Sequence, residues 1–526
     1  MAYNLQITAA ICAAGALFQV GTAEAQTPQM GGTAIFTMVS DPLTFAPSIS
    51  TNVPDRQTGC IIYQGLITVD NDYKVNPLLA KSWTISPDGL TYTFELNKAE
   101  WHDGKPFTSE DVKYTIEEIS SKMSSIFRPA GEAIDKIETP APDKIVFKLK
   151  QSFGPFMISL GCIQGVAVMP AHLMKGTDPK TNPATLSNPV GTGPFKFQEW
   201  KRGDNVRLVK NTKYFEPGKP YLDGVIGKVI GSAGARTSAL AAGEVDLVQS
   251  MPSNDKAAIE ANAKLKVENS DIAPNSSLGF LNIKRKPLDN KEVRKALFIA
   301  LDRDYIFKNA TFNIGKVGTQ PFTTAIGWAA NPDIDYRKMY PFDTAKANAM
   351  LDAAGMKRGA DGKRFKLVLV QSTQYPEFEQ TAIAMKSMWS QIGVDVQIDG
   401  PEPAVYIKRV HTDGDFDVAL NVYTSYSDPA LGVSRTWQAA MIGKPFGNAS
   451  TYTDPRVEEL FNKGQAAVTN EERGKFYKEA QVILADDLPV FMMREYRPID
   501  GATKKLKGLW NVAQGQGSWQ DAWLEK

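Results

Sequence analysis

KLVLVQSTQYPEFEQTAIAMKSMWSQIGVDVQI, residues 366–398, contains a strand, a helix and a second strand in succession. KLVLVQ (366–371) is a short apolar run of strand length. Residues 377–392 carry the helical period and stop at Gly393, where a glycine can take the left-handed conformation that ends a helix. VDVQI (394–398) then returns as a strand, and FDVAL (416–420) is another. This succession predicts an α/β fold with a mainly parallel sheet covered by helices. Upstream, residues 290–301 form a helix with Val293, Leu297 and Leu301 on one side. Helix 343–354 starts at Asp343 and stops before Gly355, an N-cap and a C-terminal glycine in their expected places. In parallel sheets ligands bind beyond the carboxyl ends of strands, so the residues following 371 and 420 are candidate site residues.

The first half reads differently. In TYTFEL (91–96), Tyr92, Phe94 and Leu96 alternate with polar residues, as do Ile145, Phe147 and Leu149 in KIVFKL (144–149). A period of two puts each set on one face of a sheet. Between them Thr108 and Asp111 have the spacing of a capping box, and Val112, Ile116 and Ile119 supply one helical stripe. PFKFQEW (194–200) and NVRLV (205–209) read as a strand pair. ARTSALAAGEVDLV (235–248) reads as a helix stopped at Gly243 and followed by a short strand. No short-period repeat is present, which argues against solenoids and propellers.

The 526 residues are 43% hydrophobic and 22% charged, enough for two to four lobes. The 59 basic and 58 acidic residues leave a net charge of +1, and no basic stripe interleaved with aromatics points to nucleic acid. Catalytic patterns are missing. His102, His172 and His411 are far apart, and none belongs to an H-E-x-x-H or Cys/His metal cluster. There is no G-x-S-x-G elbow and no phosphate loop. GTG at 191–193 is followed by Pro194 and a strand, so it reads as a turn in which glycine supplies unusual backbone angles. Asp415 and Asp417 carry no mark of an acid/base couple. A multi-lobed chain of this kind points to a binding protein, with no cofactor.

LQITAAICAAGALFQV (5–20) is the one long apolar run, too short and small-sided for a membrane span. Ala23-Glu24-Ala25 follows as a small-x-small site, so residues 1–25 read as a cleaved signal peptide and the mature chain as periplasmic. Residues 1–4 depart from that pattern in lacking Lys and Arg. Cys12 follows Ile11 in the middle of the apolar run, which favours an ordinary signal-peptide cysteine over the alternative of a lipoprotein anchor. The mature chain keeps Cys60 and Cys162, either as one disulfide or as two buried thiols; the spacing alone does not decide.

YQGLITVDNDYKVNPLLAKSWTISPDGLTYTFELNKAEWHDGKPFTSEDVKYTIEE (63–118) closely resembles the signature of the family 5 extracellular solute-binding proteins, the dipeptide, oligopeptide and nickel binders of ABC importers. NPVGTGPFKFQEW (188–200), LAAGEVDLV (240–248), FLNIKRKPLDNKEVRKALFIALDRD (280–304), FDTAKANAMLDAAG (342–355) and FDVAL with Asp428-Pro429 match in the same order. The resemblance implies a periplasmic-binding-protein fold of two lobes and a hinge, with an extra α+β domain. Domain I would comprise 26–60, 186–275 and 491–526, domain II 61–185, and domain III 276–490. Hinge crossings would lie near 275–282 and 488–494. It further implies a monomer that closes on a solute and delivers it to the transmembrane subunits and ATPase subunits of an ABC permease. The signature residues themselves read as structural: Trp83, Tyr92 and Phe94 as core, and His102-Asp103-Gly104 as a turn that positions the next helix.

The same resemblance raises a question about the ligand. Dipeptide binders of the family hold the ligand amine with an Asp after the FDVAL-like strand and its carboxylate with an Arg after the KLVLVQ-like strand. An ungapped alignment puts Ser425 and Ser372 at those places. Without both ions a zwitterionic dipeptide would be disfavoured by several kcal/mol. Either the site takes a neutral, hydroxyl-rich or longer ligand, with Tyr423, Ser425 and Tyr426 offering hydroxyls and rings, or Asp428 is the amine anchor. Thr51, Asn52, Gln374, Tyr375 and Trp437 are the remaining cleft candidates. The solute classes are therefore a peptide or peptide-sized compound first, then an oligosaccharide, an opine-like compound or a metal chelate. A secreted hydrolase on the same fold lacks any nucleophile–base pair.

Overall fold

The computed structural model describes residues 27–50, 52–70, 73–268, 275–373, 376–509 and 518–526. Three larger sheets organise them, beside two two-stranded ones. In the first, seven strands run in the order 265–268, 500–503, 247–248, 33–38, 224–229, 205–210, 195–201. The second has six, ordered 316–317, 490–496, 275–281, 418–424, 365–371, 394–399. The third has four, all antiparallel, in the order 80–85, 91–96, 144–149, 134–141.

The expectation of a mainly parallel sheet is corrected. In the six-stranded sheet 365–371 pairs parallel with 394–399 and with 418–424, as the strand–helix–strand reading requires. The other three pairings, through 275–281, 490–496 and 316–317, are antiparallel. The reason is topological. The chain enters this lobe along 275–281 and leaves along 490–496, and strands entering and leaving through one gate lie side by side in opposite directions. The strand Val490–Tyr496 therefore belongs wholly to this sheet. That moves the second crossing to 497–499, later than the expected 488–494. The strand Asn275–Leu281 is likewise inside the sheet, so the first crossing precedes residue 275.

Local elements form where capping chemistry favours them. Asp343 accepts from Lys346 N at 2.8 Å and starts the helix Thr344–Ala353, and Gly355 beyond its end has φ 81°. Asn290 caps Lys291–Ile299 through Glu292 N, at 2.9 Å. Asp111 accepts from Thr108 N at 2.9 Å, as the capping-box spacing predicts, and also from Ala171 N at 3.0 Å. The stripe Val112, Ile116 and Ile119 is fully buried, although the backbone widens to a π-helix over Thr115–Ser120.

The buried side chains fall into unequal clusters. One surrounds the six-stranded sheet, from Leu278 to Met493. A second is continuous across the seven-stranded and four-stranded sheets, joining Ala34, Phe36 and Val225 to Tyr92, Phe94 and Phe147. The extra lobe thus shares one core with the first lobe, while the closing lobe has its own. A small cluster, including Leu240, Ile314, Tyr496 and Ile499, packs at the crossing. Cys60 and Cys162 form a disulfide with a Cα separation of 6.0 Å, which ties the helix Val53–Ile62 to the extra lobe.

The signature motif WHDG is a joint. The His102 ring lies between two backbone groups, with Nε2 3.0 Å from Gly193 O and Nδ1 accepting from Gly191 N at 3.3 Å. Its backbone N–H donates to Gly191 O at 2.8 Å. Trp101 is 1% exposed, and its indole N–H points at Asp111, 3.4 Å away. GTG is a turn for a different reason from the one expected: neither Gly191 nor Gly193 has a positive φ. A Cβ on Gly191 would lie 1.9 Å from Ile62 O, and one on Gly193 2.3 Å from Ile61 O. Close backbone approach, not a left-handed conformation, requires glycine there.

Candidate ligand cleft between the lobes

The strand Val418–Thr424 carries the candidate site at its end. Thr424 pairs with Asn275 across the sheet, and their side chains meet at 2.8 Å. Beyond it Tyr426 (φ 49°) and Ser427 (φ 66°) are both left-handed, an unfavourable pair of conformations for residues with side chains. Asp428 follows and holds the turn. Its Oδ1 accepts from Ala430 N at 2.8 Å, which starts the short helix Pro429–Val433. Arg473 donates to Oδ1 and Oδ2, both at 2.7 Å. The pair is almost sealed, with side chains 1% and 4% exposed. The Arg473 guanidinium also stacks over Trp328, 4.8 Å from the ring centroid, and donates to Gly464 O at 2.8 Å. Asp428 is therefore fully committed inside the closing lobe.

The other expected site residues separate. Tyr423, Ser425 and Trp437 line one small cavity of about 20 Å³ with Ser276, Thr323 and Thr436, room for a water and not for a solute. Trp437 is 2% exposed, and its buried indole N–H has no partner. The Tyr423 hydroxyl donates to Gly447 O, and Arg435 covers its ring at 4.5 Å and that of Tyr426 at 5.5 Å. Asn52 is turned inward: its amide donates to Asp55 Oδ1 at 3.1 Å beside the helix Val53–Ile62. Ser372 is buried at the end of 365–371. Thr51, Gln374 and Tyr375 lie outside the described residues.

Three groups that the sequence reading passed over meet at this junction. Tyr73, from the extra lobe, has φ 60° and brings its hydroxyl to Ser425 of the closing lobe. That hydroxyl is buried without a hydrogen bond of regular geometry, and burial raises its pKa. Glu495 is 0% exposed. Its Oε2 accepts from Thr323 Oγ1 (3.0 Å), Thr324 N (2.7 Å) and Thr324 Oγ1 (2.8 Å), while Oε1 has no partner. Burial pushes its pKa up, and Lys316, 4.0 Å away, acts in the opposite sense. Arg497 leads into the crossing 497–499, with Asp500 Oδ2 at 3.5 Å. Asp500 accepts from Ser250 N at 2.7 Å, and burial pushes its carboxyl up to about 6. None of these residues stands in a recognisable sequence pattern. The one visible signal is two charges, Arg494 and Glu495, in an otherwise apolar exit strand, with a third, Arg497, just beyond its end.

The extra lobe also touches the closing lobe directly, where Gly154 N donates to Gln465 O at 2.8 Å. Among the described residues no group of three or more His, Cys, Asp or Glu is placed to hold a metal, and no helix is long and apolar enough to cross a membrane. His411 is buried with Nε2 3.2 Å from Asn421, and burial pushes its pKa down to about 4. His172 contacts Asp103 at 2.7 Å.

Known proteins share this architecture. The oligopeptide-binding protein AppA of Bacillus subtilis (strain 168) is 28% identical over 475 residues, covering 88% of this chain and 86% of AppA. The AppA structure in complex with a nonapeptide superposes with a TM-score of 0.77 at 26% identity, over 95% of this chain and all of that one. The structure of the binding protein AgaA from A.tumefacien R10, in complex with agropinic acid, gives 0.76 at 27% identity, over 94% and 99%. Residues 74–441 match the profile of the bacterial extracellular solute-binding proteins, family 5 middle. With that profile spanning most of its length, the chain belongs to the family 5 extracellular solute-binding proteins of ABC transporters, and it is a binding protein, not an enzyme.

Proposed function

We propose that the protein is the substrate-binding subunit of an ABC importer that captures a peptide or peptide-sized solute by hinge closure and hands it to the membrane permease. One observation carries this reading. Buried polar groups with open hydrogen-bonding capacity, Tyr73 Oη, Glu495 Oε1 and Trp437 Nε1, come from the extra lobe and the closing lobe and lie around one junction. A solute that bonds to both lobes favours the closed state, and only such differential contact shifts the population. The likeness to AppA supports a peptide as the first class of solute. In this reading the first and extra lobes move as one body, domains I and II, against domain III. The mature chain acts as a periplasmic monomer after cleavage near Ala25, and Thr51, Ser425, Tyr426, Gln374 and Tyr375 contribute to the cleft.

A second reading has its own support. Asp428 is bound on both oxygens by Arg473, and serines stand at the places of the dipeptide anchors. That favours a solute other than a free dipeptide, and the AgaA likeness adds agropinic acid to the classes worth testing, beside oligosaccharides and metal chelates. The test is native mass spectrometry of protein purified without denaturation, with small-angle scattering before and after the identified solute is added. Release of an unchanged peptide and a smaller radius of gyration support the first reading. A non-peptide solute selects the second, and a chemically altered solute defeats both.

A further inference from the structure

Among the described residues, Glu495 is the one buried carboxylate with a whole oxygen to spare, and it lies at the lobe junction. It sits on Val490–Tyr496, in register with Ser276 on one side and Lys316 on the other. Three donors from Thr323 and Thr324 converge on Oε2 and fix the side chain, so Oε1 is held in one place with no donor of its own. A fully buried carboxylate oxygen without a partner is costly, and native interiors rarely tolerate one. Lys316 does not relieve it: its ammonium lies 4.0 Å away on the Oε2 side, with its own side chain half exposed. Tyr73 is near enough to interact electrostatically with this group and with Arg497, and it also faces Ser425. The spare oxygen therefore lies where the extra lobe, the closing lobe and the second crossing meet.

We propose that Glu495 is the cation anchor of the cleft, its Oε1 accepting a charge-assisted hydrogen bond from an ammonium or guanidinium group of the solute. The position differs from the aspartate position of the dipeptide binders, occupied here by Ser425, and from Asp428, which Arg473 saturates. A rigid buried carboxylate with one committed and one open oxygen selects for cationic nitrogen and against carboxylate, which it would repel. The proposal rests on the binding-protein reading and deepens it by naming the group on the solute that is recognised. A peptide amino terminus and a free polyamine share that chemistry.

The experiment uses the full mature chain, as wild type and as Glu495→Gln, which keeps an acceptor for Thr323 and Thr324 but loses the charge. Each is offered a pool of random tri- to pentapeptides, the same pool N-acetylated at its amino termini, and a set of free amines comprising putrescine, spermidine and agmatine. Captured molecules are read by native mass spectrometry and their affinities by calorimetry. Gly203→Ala is the structural control: it strains an exposed turn that contributes nothing to the Glu495 site, so it is expected to lower stability but leave selectivity unchanged. The expected result is capture of solutes with a free amine or guanidinium, about a hundredfold weaker in Glu495→Gln. Equal capture of the acetylated pool, or unchanged affinity in Glu495→Gln, overturns the anchor and leaves the peptide reading standing. Glu495-dependent capture of free amines alone keeps the anchor and removes the peptide reading. Capture from none of the three sets overturns both.

Discussion

Arg473, from the helix Asn470–Asp487, holds both oxygens of Asp428 at 2.7 Å inside the closing lobe. The contact is bidentate, the strongest geometry available to a guanidinium and a carboxylate. It pins the turn that carries Ser425, Tyr426 and Ser427 to a helix 45 residues further along the chain. The residue with the best sequence claim to touch ligand thereby becomes the one that holds the cleft rim in shape.

Asp428→Ala is therefore expected to destabilise the closing lobe by about 3–5 kcal/mol, because it leaves a buried guanidinium without its counter-charge. Arg473→Met should cost less, since it removes one charge and supplies apolar volume against Trp328, yet it leaves the carboxylate behind. Urea unfolding followed by tryptophan fluorescence measures both. An Asp428→Ala protein with wild-type stability and abolished solute binding would show instead that Asp428 is a ligand anchor.

His102 makes stability depend on pH. Burial is the main cause of its depressed pKa, down to about 4, from an unperturbed value near 6.5. The geometry agrees: a neutral ring with the proton on Nε2 donates to Gly193 O and accepts from Gly191 N, whereas a second proton on Nδ1 would face that N–H. A folded-state pKa below the unfolded one gives stability that is complete above about 6.5 and is lost as pH falls through about 4. The full effect is about 3 kcal/mol. Denaturation series between pH 7 and 4 should show a shallower loss in His102→Gln than in wild type, and parallel curves would refute the assignment.

Gly191→Ala places a methyl group 1.9 Å from Ile62 O, which is backbone and cannot swing away. The expected cost is about 1–3 kcal/mol or more, with the WHDG joint loosened. Gly203→Ala, where the built Cβ meets nothing within 4 Å but φ is 75°, should cost about 1 kcal/mol by backbone strain alone. Comparing the two melting temperatures separates close approach from conformation.

Reduction of the Cys60–Cys162 bond opens a loop with a sequence separation of 102. A bridge of that span contributes about 2–4 kcal/mol. In a protein spanning 27–526, which leaves out Cys12, Cys60→Ser/Cys162→Ser should unfold at correspondingly lower urea, and Ellman titration of the unfolded, unreduced parent should find no free thiol. Two reactive thiols would exclude the bridge.

Periodicity carried the fold a long way. The strands 91–96 and 144–149 and the helix Thr344–Ala353 with its Asp343 cap were legible residue by residue, because they depend on neighbours within a few positions. Sheet direction was not. That 275–281 and 490–496 pair antiparallel follows from the chain returning through one gate over 200 residues later, which no local pattern encodes. For the candidate site the sequence named side chains but not their partners. Ser425 and Trp437 do share a cavity, but Asn52 is spent on Asp55 and Asp428 on Arg473. Whether a polar side chain is free or committed depends on a partner distant in sequence. Glu495 and Tyr73 were missed for the same reason, since only the fold exposes an oxygen without a donor.

The crossing has a mechanical consequence. Glu268 pairs with Asp500 on one side of it, and Asn275 with Tyr496 on the other. The strand ends on either side of it are therefore neighbours, about 5 Å apart as adjacent strands must be. Two tethers that close together act as an axle: they permit a swing while giving little room for sliding or shear. In the proposed closure, the half of the molecule hung on it would have essentially one coordinate to travel, and a guest would need to bias only that angle.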